Sequence, residues 1–175
     1  EQAAQEWAHT VLQTEGALIL DTETTGIPAE VIEIAIIDLN GRPLLNTRLN
    51  PLEEIEPGAA AVHGLTNDIL TNEPRFPQIY DQLKQLLTNA PLTIIYNAEF
   101  DITMLRHTCR LHEQEPITFE TTCAMEWCAR WVGQWSDYHG SFRWQPLSGG
   151  DHTALGDCQA TLRFIQDMAS TQDEE

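Results

Sequence analysis

Basic residues are scarce in this chain. Nine Lys and Arg stand against 27 Asp and Glu in 175 residues, which gives a formal net charge of −18, and Lys84 is the only lysine. Proteins that hold nucleic acid by neutralising its phosphates normally present a basic face. The composition therefore excludes a function that depends on a broad basic surface.

Long apolar runs and paired cysteines are also missing. No run approaches the roughly 20 residues that a membrane-spanning helix needs, and the N-terminus shows no basic region followed by an apolar stretch. The four cysteines form no Cys-x-x-Cys pair, which favours reduced structural thiols over a zinc site or disulfides. We therefore expect a soluble, cytoplasmic protein with no membrane association.

The length and the 42% hydrophobic content allow one ordinary hydrophobic core. We expect an N-terminal helix within residues 1–15, one globular domain over residues 16–170, and an acidic tail over residues 171–175. The apolar pattern predicts strands at 17–21, 31–39, 44–49 and 92–96, and helices at 2–13, 76–87, 100–111, 119–135 and 154–168. Three strands with short links, followed by alternating helices and strands, predict an α/β fold with a mixed central sheet flanked by helices.

Two carboxylates lie at the end of the first predicted strand, in the stretch DTETTG. Asp21 and Glu23 are two residues apart, so their side chains can project to the same side of the strand. Neighbouring ionised carboxylates next to a core repel each other and lose hydration. They therefore require compensation from another part of the chain.

Two further clusters supply candidate partners for these carboxylates. Asp101 follows the predicted strand at 92–96, and His152 precedes Asp157 at the start of the last predicted helix. Four converging carboxylates need cations, and hard divalent ions such as Mg²⁺ prefer oxygen ligands. Two such ions can support phosphodiester hydrolysis, and a histidine can accept a proton from the attacking water near neutral pH.

Three stretches resemble, in order, the three motifs of the DnaQ-like 3′-5′ exonucleases of the DEDDh type. They are DTETTG, NAEFDITML and HTALGDC, and the resemblance covers about residues 16–168. The segment GAAAVHGLTNDIL, residues 58–70, is also similar to the family's segment between the first two motifs. Because of this resemblance, we interpret residues 16–170 as an exonuclease domain.

The resemblance implies a fold, a chemistry and a set of site residues. It implies an RNase H-like fold, two Mg²⁺ ions with Mn²⁺ as a substitute, and release of nucleoside 5′-monophosphates from a 3′ end. The matching positions make Asp21, Glu23, Asp101 and Asp157 catalytic metal ligands. His152 matches the general base.

Five more residues are candidate substrate contacts, each with a structural alternative. Thr24 and Gly26 can offer backbone groups to the terminal nucleotide, or they can simply form a turn. His63 matches a histidine near the substrate phosphate, or it packs within its loop. Asn97 and Phe100 resemble the pair that orders the second motif and stacks near a base, although a Phe at a helix start also suits a core.

Aromatic residues form two further groups. Trp127, Trp131 and Trp135 recur at helical spacing, which favours packing of a helix against the core over base stacking. The following loop, residues 136–144, is a better candidate for a substrate or partner surface.

Several functions remain open at the level of sequence. Single-stranded DNA is the leading substrate, because a scissile end must leave a duplex to reach the site; RNA is the alternative. Proofreading, repair, RNA trimming and DNA trimming in CRISPR adaptation all suit the family, as does an interaction module that binds a polymerase or an integrase. A plain α/β domain with chance motifs is the third hypothesis.

The net charge predicts low processivity, with a protein partner that delivers the 3′ end. The short Gly-Gly link before His152 suggests a loop that closes on substrate.

Overall fold

A five-stranded sheet forms the centre of the computed structural model, which describes residues 1–170. The predicted acidic tail lies outside these residues. The helices are α1 Gln2–Leu12, α2 Pro57–His63, α3 Asn67–Leu70, α4 Phe76–Asn89, α5 Ala98–Leu111, α6 Ala124–Val132 and α7 Ala154–Ser170. The strands are β1 Leu18–Thr24, β2 Val31–Asp38, β3 Pro43–Arg48, β4 Thr93–Ile95, β5 Thr121–Cys123, β6 Trp135–Ser136 and β7 Ser141–Phe142.

The order of the large sheet is β3-β2-β1-β4-β5. The pairs β1–β2 and β2–β3 are antiparallel, whereas β1–β4 and β4–β5 are parallel. The turn at Asn40-Gly41 joins β2 and β3, as its sequence predicts. The α/β class with a mixed central sheet is therefore confirmed.

Helices cover both faces of the sheet. Because side chains alternate along a strand, Leu18 and Leu20 of β1 face α4 and α5, whereas Ile19 faces α1 and α7. The four cysteines are free, and all except Cys123 are buried. No helix within residues 1–170 is long and apolar enough to cross a membrane.

The single helix predicted over residues 119–135 is wrong. The β-branched Thr121 and Thr122 instead pair with β4 as the edge strand β5. Helix α6 ends before Gly133, which adopts a left-handed backbone with φ 71°. Trp135 therefore belongs to the small β6–β7 sheet and lies outside the helical stripe.

Candidate active site

Strand β1 carries the first two carboxylates within its length. The strand predicted over 17–21 is too short, because β1 continues to Thr24 and stays paired with β2 over that stretch. On its other side, β4 stops at Ile95, which lies opposite Leu20. The part of β1 that holds Asp21 and Glu23 is therefore open toward the start of α5.

Asp101 reaches this opening from the first turn of α5. Because α5 begins at Ala98, two residues before the predicted start, Asp101 lies one turn inside the helix and is buried. The Thr22 hydroxyl donates a hydrogen bond of 2.7 Å to Asp101 Oδ1. Thr22 faces the opposite side of β1 from its carboxylate neighbours. Sequence reasoning missed Thr22, whose only signal is its place between the two carboxylates of DTETTG.

His152 and Asp157 reach the cluster from the start of α7. One potential ligand atom from each of Glu23, His152 and Asp157 lies within 4.8 Å of the other two. His152 is exposed and adopts a left-handed backbone with φ 58°, which is uncommon for a residue with a side chain. Hydrogen bonds from the backbone N–H groups of Asp151 and His152 to Asp157 Oδ1, at 2.9 and 3.2 Å, hold the loop there.

The loop before α7 is further ordered by Asp151. Its Oδ1 accepts bonds from the backbone N–H and the hydroxyl of Thr153, at 3.0 and 2.7 Å, and these bonds hold the pKa of Asp151 below its usual range. Gly156 lies directly against the same carboxylate, and a Cβ at this position would collide with it. The glycine of HTALGDC therefore allows the loop to pack closely on α7.

Glu33 is a fifth acidic residue that sequence reasoning missed. It lies on β2 opposite Glu23, and paired residues share one face of a sheet. Its Oε1 accepts a 2.7 Å hydrogen bond from Ala154 N–H at the start of α7, and its Oε2 pairs with Arg48 Nε at 3.0 Å. A glutamate within the otherwise apolar run VIEIAII was the available signal.

Burial and mutual repulsion shift the pKa values of these carboxyl groups upward. Burial, followed by the charges of Asp101 and Asp157, raises the pKa of Asp21 well above its usual range. Burial and then the charges of Asp157 and Glu33 raise the pKa of Glu23 to about 8. Burial raises the pKa of Asp101 to about 7, although the hydrogen bond from Thr22 lowers it. Each shift shows that negative charge here lacks compensation.

The donor set fits hard divalent cations. Within residues 1–170, no ion pair joins a Lys, Arg or His side chain to Asp21, Glu23, Asp101 or Asp157. Carboxylate oxygens are the ligands that such cations prefer, and the cations would supply the missing positive charge. Among the described residues, Glu23, His152 and Asp157 form the group of potential ligands that lie within 4.8 Å of one another, and Asp21 and Asp101 are not part of it.

Three of the predicted substrate residues lie in and beside the turn that follows β1. The Thr24 hydroxyl donates to Gly26 O at 3.1 Å, and a Cβ at Gly26 would collide with the Glu56 side chain. His63 Nδ1 accepts from Leu65 N–H at 3.1 Å, so its Nε2–H is the donor to Thr24 O at 3.0 Å. These bonds connect His63, at the end of α2, to the end of β1. The substrate roles of Thr24, Gly26 and His63 stay predictions.

Asn97 and Phe100 lie at the start of α5. Asn97 is the N-cap residue of that helix, and Phe100 is half-buried against the core. Both line a cavity of about 270 Å³ together with Met104 and Trp144. Their substrate contacts also stay predictions.

The helical tryptophans serve packing, as the spacing favours. Trp127 stacks on Trp7 of α1 with ring centroids 5.5 Å apart. Trp131 meets Phe164 of α7 edge to face at 5.6 Å. These contacts fix α6 against α1 and α7.

The mixed sheet, the two helical layers and the acidic cluster at the open side of β1 define an RNase H-like nuclease domain. The chain belongs to the RNase_T exonuclease family, whose model matches residues 18–165, and it is a DnaQ-like 3′-5′ exonuclease. The predicted family and the predicted RNase H-like fold are confirmed. Proteins of this family use divalent metals.

Two curated relatives illustrate the similarity. The uncharacterized exonuclease CP81 of Escherichia phage 186 is 30% identical over 187 residues, which covers 96% of this chain and 93% of that protein. The DNA polymerase III subunit epsilon of Treponema pallidum is 28% identical over 119 residues, which covers 65% of this chain and 55% of the subunit. The match thus spans only about half the length of that epsilon subunit.

Solved structures share the fold at lower identity. Exonuclease X in complex with 5′ overhanging duplex DNA gives a TM-score of 0.61 at 24% identity, over 90% of this chain and 95% of that one. E. coli exonuclease I in complex with a dT13 oligonucleotide gives 0.69 at 17% identity, over 88% of this chain and 41% of that one. At these identities the likeness concerns the fold alone.

Proposed function

We propose that this domain removes nucleoside 5′-monophosphates one at a time from the 3′ end of single-stranded DNA. The observation that carries the proposal is that, in addition to burial, the charges of nearby carboxylates from β1, α5 and α7 raise the pKa of Asp21, with His152 beside Glu23 and Asp157. DNA is favoured over RNA because the similar proteins include DNA polymerase subunits and exonucleases solved with DNA. Single strands are favoured because the scissile end must separate from a duplex to enter the site.

The four predicted ligands would hold two Mg²⁺ ions, for which Mn²⁺ can substitute. Asp101 would bind from the buried start of α5, Asp21 from β1 beside it, and Glu23 and Asp157 from the side nearer His152. When bound, such ions lower the pKa of a coordinated water and stabilise negative charge on the leaving oxygen. Buried carboxylates that repel each other in the absence of cations are suited to hold them.

His152 is the residue suited to move the proton. Its exposed ring can accept a proton from the attacking water while the water oxygen forms a bond to phosphorus. The bond from phosphorus to the 3′ oxygen then breaks, and that oxygen takes up a proton as the shortened strand leaves. The bonds from residues 151 and 152 to Asp157 keep this histidine next to the carboxylates.

A cleavage assay on three labelled substrates tests the proposal. The protein is incubated in Mg²⁺ with 5′-labelled single-stranded DNA, single-stranded RNA and duplex DNA. We expect a ladder that shortens from the 3′ end of single-stranded DNA and disappears in excess EDTA. His152→Ala should slow the reaction at least about 100-fold, because it removes the general base.

Matched variants control for unspecific damage. Asp21→Asn should abolish the ladder, whereas Asp81→Asn and His9→Ala, at exposed positions of α4 and α1, should leave it unchanged. Faster cleavage of RNA would assign the alternative exoribonuclease function. The absence of product from all three substrates would contradict the proposal and favour a module that binds a polymerase or an integrase.

A further inference from the structure

Aromatic side chains project into solvent from a small hairpin between α6 and the loop that carries His152. This aromatic hairpin comprises residues 135–144 and contains strands β6 and β7. Tyr138 is 92% exposed, Trp144 68% and Trp135 53%. Large aromatic rings gain from burial, so three such rings in one short exposed segment indicate a contact surface.

The aromatic hairpin is ordered by its own contacts. The Trp135 ring meets Phe142 edge to face at 5.2 Å across the two strands. The backbone N–H of Arg143 donates to Gln134 O at 2.8 Å. A segment whose backbone is already held in place loses little conformational freedom when it binds a ligand.

The position of the aromatic hairpin links it to the candidate active site. The Tyr96 hydroxyl, at the end of β4, donates a 2.8 Å hydrogen bond to Gln145 O and so fixes the chain directly after Trp144. Trp144 lines the same cavity as Asn97 and Phe100 at the start of α5. A second cavity of about 680 Å³ lies along the hairpin itself, between Tyr138 and Trp144.

The aromatic hairpin differs from the rest of the chain in its formal charge. Residues 134–145 contain one acidic residue, Asp137, and one basic residue, Arg143, so their formal charge is +1 − 1 = 0, against −18 for the whole chain. A polyanion meets less repulsion here than on most of the molecule. Stacking of bases on aromatic rings also needs no neutralisation of phosphates.

We propose that the aromatic hairpin binds the bases of single-stranded DNA upstream of the nucleotide being cleaved, by stacking on Trp144 and Tyr138. This inference rests on the proposed exonuclease function and names the part of the site that holds the rest of the strand. The cavity lined by Trp144 favours a nucleic acid over a protein partner, because Asn97 and Phe100, two predicted substrate contacts, line it as well.

Two substrates of different length test the proposal. The p-nitrophenyl ester of thymidine 5′-monophosphate has no upstream base, whereas dT12 has several. Trp144→Ala and Tyr138→Ala should each raise the KM for dT12 about 5- to 20-fold and the KM for the ester by a much smaller factor. Trp144→Phe and Tyr138→Phe keep a ring and should retain most of the affinity. Ile69→Ala, which shortens an exposed apolar side chain on α3, is the matched control.

Salt dependence distinguishes stacking from phosphate binding. Because stacking releases few counterions, Trp144→Ala should raise the KM for dT12 by the same factor at low and at moderate NaCl concentration. An unchanged KM for dT12 in both alanine variants, or an equal loss with the ester, would overturn the inference while the exonuclease proposal stands. If the wild-type protein cleaved neither substrate, both proposals would fail.

Discussion

Individual carboxyl groups at the site are unusual for their degree of burial. Asp101 is buried, and Asp21 and Glu23 are half-buried next to it, yet no basic side chain within residues 1–170 pairs with any of the three. Removing ionised carboxylates from water is costly unless a countercharge is near. The metal-free protein therefore carries a local electrostatic cost that depends on pH.

Metal-free protein should lose thermal stability as the pH rises. A carboxyl whose pKa is higher in the folded chain binds its proton more tightly when folded. Its contribution to stability is then complete below the unfolded pKa of about 4 and is lost as the pH rises through the folded pKa. These folded values are about 8 for Glu23 and about 7 for Asp101. In EDTA, the Tm measured by calorimetry should fall between pH 5 and pH 8.5.

Two comparisons connect this pH dependence to the site. Glu23→Gln should flatten the fall in Tm, whereas Glu126→Gln, at an exposed position of α6, should leave it unchanged. Mn²⁺ added at pH 8.5 should raise the Tm by more than Mn²⁺ added at pH 5. A Tm in EDTA that stays constant over this range would contradict the cause assigned to the raised pKa values.

At the scale of elements, Glu33 joins three parts of the domain. It belongs to β2, binds the backbone at the start of α7 and pairs with Arg48 at the end of β3. Helix α7 carries Asp157 in its first turn, so the bond from Ala154 N–H to Glu33 fixes the start of that helix against β2. Glu33 is therefore a positioning residue.

Replacing Glu33 should reduce turnover more than substrate binding. Glu33→Ala leaves Ala154 N–H without its acceptor and frees the start of α7, so we expect kcat for the p-nitrophenyl ester to fall at least about tenfold with little change in KM. Glu33→Gln keeps an acceptor for Ala154 and should recover most of the kcat. The variants' Tm values are measured in parallel. If Glu33→Ala and Glu33→Gln lost Tm and kcat to the same extent, Glu33 would have only a structural role.

The sequence predicts the elements of this fold better than their ends. Apolar periodicity is sufficient to place α4 and α7, because their buried stripes are long and regular. It fails where tertiary contacts extend or divide an element. Pairing with β2 carries β1 through Asp21 and Glu23, and pairing with β4 makes a strand of Thr121–Cys123. Neither partnership leaves a local signal in the sequence.

The same distinction holds for the site residues: sequence motifs identify some of them, and only tertiary contacts identify the others. Asp21, Glu23 and Asp101 could be proposed from their motifs, because carboxylates at the ends of apolar runs are easily recognised. Thr22 and Glu33 could not, because their importance comes from partners 79 and 121 residues away in the chain. A single sequence does not specify which backbone amide or carboxylate such a side chain will meet.

At the scale of the whole molecule, charge opposes the proposed substrate. Two divalent ions would reduce the net charge only from −18 to −14, so long-range attraction to DNA should be weak. The aromatic hairpin adds local contacts and little attraction at a distance. We propose that a protein partner delivers the 3′ end, in keeping with the polymerase subunits among the similar proteins.

The isolated domain should therefore degrade DNA distributively. In a single-encounter assay, labelled dT40 is bound first, and Mg²⁺ is then added together with excess unlabelled DNA as a trap. We expect each encounter to remove only a few nucleotides. Lower salt should lengthen these runs only slightly, because few phosphate contacts are available. Runs that continue to the end of the strand on bare DNA would refute the expectation.

The open side of β1 also matters for solubility. Because β4 stops opposite Leu20, the later part of β1 has a strand neighbour only on the β2 side within residues 1–170. An unpaired strand edge can pair with the same edge of another molecule, and charged side chains are a common protection against such aggregation. We therefore expect Asp21 and Glu23, which are the predicted metal ligands of β1, to protect this edge as well. A variant that neutralises both residues would remove this protection, and light scattering would show whether it aggregates more than the unchanged protein.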